Sequence, residues 1–151
     1  MATARPRAER VADAQQALRD VVDCWLATAS DGEPHLVPLS MVWDEATGEI
    51  VLCTDPASVT VRNVEAGGAR VRLGVGPTDD VLMLVGHIRV ASTVADDQAT
   101  AELFAGRTGW DPRADSRDYV FLRFRPDRAQ SWRHAGELQG RTIMREGEWL
   151  P

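Results

Sequence analysis

Apolar residues in this chain come in short runs, each closed by residues that turn a backbone. The runs at residues 24–29, 35–43 and 50–54 are separated by Ser30-Asp31-Gly32 and by residues 44–48; those at 70–75 and 81–94 flank Gly76-Pro77-Thr78-Asp79-Asp80. Runs this short suit strands better than helices, and turn residues between them join antiparallel neighbours. The first three runs therefore predict an antiparallel meander. The run at 81–94 is long enough to bend, and Gly86 is where a strand tolerates bending.

Helical spacing is rarer. Val11, Ala14, Leu18, Val21 and Trp25 recur at it, which predicts an amphipathic helix over residues 7–22. Asp55-Pro56 breaks the sheet, Ser58 reads as an N-cap and Gly67-Gly68 as a stop, so a short helix follows the third strand. Residues 97–105 predict another short helix ended by Gly106, and residues 108–117 a loop. Toward the C-terminus, residues 119–125 alternate and residues 128–134 continue beyond Pro126-Asp127, which reads as a hairpin; residues 141–145 add a last strand. About eight short strands and two or three helices, without βαβ alternation or internal repeat, specify a mainly β fold. The architecture expected is a closed or partly open antiparallel barrel with helices at its ends.

A chain of 151 residues fits one domain. Within it the reading places an N-terminal helix at 1–22, barrel core and short helix at 23–95, helix and loop at 96–117, and C-terminal hairpin and tail at 118–151. No apolar run approaches the ~20 residues of a membrane span, and residues 1–20 lack a signal-peptide apolar stretch, so a cytoplasmic location without membrane contact is expected. The formal net charge of −6 opposes general nucleic-acid binding. All 17 basic residues are Arg, so any anion site uses guanidinium, hydroxyl or backbone N–H groups, and Schiff-base or Walker lysine chemistry is excluded. Cys24 and Cys53 read as buried thiols, and His35, His87 and His134 are too widely spaced for a metal site. No Gly-x-Gly-x-x-Gly, Gly-x-Ser-x-Gly or His-Glu-x-x-His occurs.

Residues 26–29, residues 31–38, Val42-Trp43, Thr54 and residues 58–63 together resemble the pyridoxamine 5′-phosphate oxidase-like superfamily, as do residues 119–125, 130–133 and 137–142. The similarity is closest to its short flavin- or deazaflavin-dependent reductases. The resemblance implies a split β-barrel, FMN or the deazaflavin F420 as cofactor (F420 slightly favoured), a small-molecule substrate, and a homodimer with cofactors at the interface. It implies a phosphate site at Thr54, Ser58, Thr60, Arg62 and Asn63, where a helix start offers unpaired N–H groups to an anion. Where the family typically has Ser-Arg-Lys-Val-Arg-Asn, this chain has Ser58-Val59-Thr60-Val61-Arg62-Asn63, with Thr60 replacing the lysine. A flat ring would lie along Val37, Pro38, Leu39 and Ser40, with Trp132 and Arg133 contributed by the partner subunit. Arg123, Arg125, Arg128 and Arg133 would form a basic strip for an acidic cofactor tail if one face of the hairpin held them, and residues 110–113 would border the substrate opening. The activity implied is hydride transfer between cofactor and substrate. The alternative is a non-catalytic protein that binds or stores a flavin, deazaflavin or tetrapyrrole.

Overall fold

The structure, a computed structural model, describes residues 2–151. Helix α1 (Arg7–Asp20) leads into the meander β1 (Asp23–Ser30), β2 (Glu33–Asp44) and β3 (Glu49–Thr54). Helix α2 (Val59–Glu65), β4 (Arg70–Val75), β5 (Val81–Thr93), α3 (Gln98–Thr108) and β6 (Val120–Trp132) follow, and the short β7 (Thr142–Arg145) and β8 (Glu148–Trp149) end the chain. The sheet order is β3-β2-β1-β4-β5-β6-β7-β8, and β6 also pairs with β3, which closes six antiparallel strands into a barrel. No helix among the described residues is long and apolar enough to cross a membrane.

Two apolar clusters explain the strand patterns. Leu26, Ile50, Leu52, Leu73, Leu84, Leu122 and Phe124 fill the barrel, with Ala14 and Leu18 of α1 and Val61 and Val64 of α2 packed into the same core. On the outside, Val51 and Cys53 meet Phe104 of α3 and Phe121. Strand β3 is thus buried on both faces, so its sequence is apolar from Ile50 through Cys53 rather than alternating. Full burial of each such Leu or Phe stabilises by roughly 1.5–3 kcal/mol.

Two segments differ from the sequence reading. Strand β6 is one continuous strand, not a hairpin, and pairs with β5 from Val81↔Trp132 to Thr93↔Val120. Pro126 lies opposite Gly86 at a shift of register between Val85 and Gly86, so the Pro-Asp signal marks a bulge. A Cβ on Gly86 would stand 2.1 Å from the Arg125 carbonyl oxygen, so glycine is what admits this close approach. Helix α3 passes through Gly106 and ends only at Gly109, whose φ of 76° gives the left-handed cap. An interior glycine weakens a helix by about 1 kcal/mol without terminating it. The loop that follows contains a single 3-10 turn, Pro112–Ala114.

Candidate cofactor site

At the junction of β3 and α2 the chain turns sharply. Asp55 Oδ1 accepts from the Ala57 N–H at 2.7 Å, and Ser58 caps α2 by accepting from the Val61 N–H at 3.2 Å. Thr60 and Asn63 face inward. Thr60 is 2% exposed, and the Asn63 amide donates to Thr28 Oγ1 at 3.0 Å, which ties α2 to β1. Arg62 is exposed and its guanidinium has no hydrogen-bond or ion-pair partner, while Ser58 is half-buried. Thr54, at the end of β3, is buried.

Strand β2 has an unusual edge. Its residues 33–40 pair with β1 alone, because β3 joins β2 only from Met41↔Leu52 onward. Continuing that register sets Thr54 level with Leu39, where the chain leaves the sheet for α2. The four residues predicted to line a ring therefore lie on a strand with one free edge, and Pro38, which has no N–H to give, sits within it. They divide by parity. Val37 and Leu39 pack against the barrel core, whereas Pro38 and Ser40, with the edge of Leu39, line a cleft of about 520 Å³ shared with Asp23, Trp25 and Gly74. Pro38 and Gly74 flank Trp25 across three strands, and the indole is 53% exposed.

Trp132 and Arg133 lie elsewhere. Strand β6 begins beside Thr54, at Val120, and ends at Trp132; through the pairs Ser40↔Asp23, Cys24↔Val75, Val75↔Leu82 and Val81↔Trp132, that residue is level with Ser40 but four strands round the sheet from it. Neither Trp132 nor Arg133 lines the cleft of Pro38 and Ser40 within the chain. The Arg141 guanidinium stacks 5.2 Å from the centre of the Trp132 indole. Arg133 reaches Asp80 at 3.1 Å and Asp13 at 3.3 Å.

Sequence reasoning missed the residue that organises this end of the barrel. Glu137, 1% exposed, accepts from Arg5 N and Nε, each at 3.0 Å, from Arg5 Nη2 at 2.8 Å, and from the Arg133 N–H at 2.8 Å. Those bonds hold the Glu137 carboxyl well below its ordinary range and raise Arg5 above its own. A partner 132 residues away leaves no local signal. The expected basic strip is also divided. Arg123 bonds Asp44 at 3.0 Å, and Arg123 and Arg125 flank the buried Glu49 at 3.7 and 3.9 Å, with Arg89 as its principal partner. Only Arg128 of the four is free of carboxylates within ion-pair distance. The loop residues Trp110 and Tyr119 stack edge-on at 5.3 Å, and Pro112 and Arg113 line a cleft of about 610 Å³ that also touches Pro56. Among the described residues no three His, Cys, Asp or Glu side chains converge as metal ligands would.

Residues 11–133 match the family model described as pyridoxamine 5′-phosphate oxidase. The chain belongs to that family. Its fold is shared with solved structures of low identity. A Clostridium acetobutylicum protein related to general stress protein 26 of B. subtilis, itself placed in the pyridoxinephosphate oxidase family, is 17% identical, with a TM-score of 0.63 over 86% of this chain and 92% of that one. A heme binding protein from Mycobacterium smegmatis is 18% identical, with a TM-score of 0.68 over 96% of this chain and 60% of that one. An F420 reductase is 22% identical, with a TM-score of 0.60 over 76% of this chain and 94% of that one. No curated protein matches the chain.

Proposed function

We propose that this member of the pyridoxamine 5′-phosphate oxidase family is an oxidoreductase that holds F420 or FMN against the free edge of β2 and passes a hydride between it and a small molecule. The observation that carries the reading is that edge: residues 33–40 pair on one side only, beside the turn from Thr54 into α2. A bound flavin or deazaflavin supplies the ring that gives or takes hydride.

The chain's own residues fit such a group unevenly. The unpaired backbone of β2 offers N–H and C=O groups to a planar heterocycle, and Pro38 and Leu39 give it an apolar rest beside the Ser40 hydroxyl. For the phosphate, Arg62 is the one unpartnered cation of α2, and Ser58 keeps its O–H to donate while its oxygen caps the helix. Thr60 and Asn63 act through structure, by seating α2 against the barrel. No acid or base is needed for hydride transfer itself; positioning and exclusion of water are the protein's part. F420 is preferred over FMN because a chain without lysine, with arginines at its C-terminal end, suits the deazaflavin reductases better.

A homodimer completes the proposal. It would bring Trp132 and Arg133 of a second copy toward the ring and cover Trp25 and Leu36, which are 53% and 61% exposed. The test is Arg62→Ala. Affinity for the preferred cofactor falls about tenfold, the worth of one charge-assisted hydrogen bond, with the melting temperature unchanged. Unaltered affinity would remove Arg62 from the site. Tight binding without turnover by the reduced protein would favour the storage reading, which the fold shared with the M. smegmatis heme binding protein also accommodates.

A further inference from the structure

Nine of the 17 arginines lie within ion-pair distance of a side-chain carboxylate, namely 5, 19, 70, 89, 113, 117, 123, 125 and 133, and Arg7 donates to the Pro151 O at 3.2 Å. Most of the others converge on one place. Arg7, Arg128, Arg141 and Arg145 line a cleft of about 640 Å³ between the start of α1, the second half of β6 and β7. Gln130 and Thr142 add further donors, and no acidic side chain among the described residues lines it.

A fifth arginine lies beneath the cleft. Arg10 is 7% exposed; its Nη1 donates to the Glu137 carbonyl at 3.4 Å, and its Nε has no partner. Its Nη2 comes within 3.9 Å of where a Cβ on Gly140 would stand, and Gly140 lines the cleft. A buried cation without a counter-charge is unfavourable, and four further guanidiniums around it add repulsion in a chain whose net charge is −6. An anion in the cleft relieves that repulsion.

From this convergence we infer that the cleft is a binding site for a small organic polyanion, one that carries two or more phosphate or carboxylate groups. Planar guanidiniums pair both groups bidentately, and the amide and hydroxyl donors suit their remaining oxygens. The stacking of Arg141 on Trp132 holds one fork in place. Asp127 and Glu146 stand with Arg128 and Arg145 around the adjoining depression, so negative charge bounds the basic surface on that side and a long polyanion is disfavoured. The site is separate from the edge of β2 and does not depend on the cofactor reading.

Calorimetric titration of the full chain without cofactor tests this, with inorganic pyrophosphate in one arm and citrate in the other. One-to-one binding of pyrophosphate alone assigns phosphate groups, of citrate alone carboxylates, and of both supports the shared chemistry. The double variant Arg128→Gln, Arg145→Gln, both exposed and without ion pairs, weakens binding about a hundredfold, a factor of ten for each guanidinium removed. Arg62→Ala leaves it unchanged. No binding of either anion at millimolar concentration, equal binding by the double variant, or an equal loss in Arg62→Ala would overturn the inference.

Discussion

Replacing Glu137 by Gln should destabilise the protein by about 3 kcal/mol at pH 7. Four donors converge on a carboxylate that is 1% exposed, three of them from Arg5, itself buried. Removing one member of a buried ion pair costs about 3–5 kcal/mol, chiefly because the other charge stays behind uncompensated. Here Asp13 remains 2.6 Å from Arg5, which sets the lower end of that range. In urea, with a slope near 2 kcal/mol per molar, the midpoint moves down by about 1.5 M; by heat, Tm falls by about 6–12 °C for a domain of this size. The loss also has a pH signature. The folded Glu137 carboxyl is held below its unfolded value, so its stabilisation is complete above the unfolded pKa of ~4.3 and is lost as pH falls toward the folded one. Wild type and Glu137→Gln should therefore converge in stability as pH falls from ~5 toward 3. A difference under about 1 kcal/mol at pH 7, or one that stays constant down to pH 3, would refute this account of the Arg5–Glu137 pair.

The two thiols should be inert in the folded state. Burial pushes both Cys24 and Cys53 up to about 12, with the Asp23 charge adding to the effect at Cys24, so neither reacts with an alkylating agent at pH 8 until the chain is unfolded; fast labelling of native protein would contradict the packing described. Light scattering should give about twice the monomer mass of 16.6 kDa, since the proposed site takes Trp132 and Arg133 from a second copy; a monomer that bound cofactor tightly would remove Trp132 and Arg133 from it.

Much of the barrel was legible because its signals are local. Period-two alternation and Gly, Asp and Pro turns located β4 at residues 70–75 outright and the three strands of the meander to within a residue or two, and the Ser58 cap marked the start of α2. What escaped depends on distant partners. Pro126-Asp127 looks like a turn until Gly86, 40 positions earlier, is set opposite it. Arg123 and Arg133 look like free cations until Asp44, Asp80 and Asp13 are brought to them by strand pairing and helix packing. Gly106 looks like a stop because composition does not reveal that the left-handed residue is Gly109. The free edge of β2 was foreshadowed by Pro38, but its extent follows from where β3 departs toward α2, which is a property of the closed sheet.

The most direct test of the proposed cofactor site is titration of the purified wild-type protein with F420 and with FMN, followed by cofactor fluorescence and visible absorption. Saturable binding of at least one of them at micromolar concentration is expected, with F420 the tighter. Failure of both to bind at that concentration would contradict the assignment of this chain as a flavin- or deazaflavin-dependent oxidoreductase.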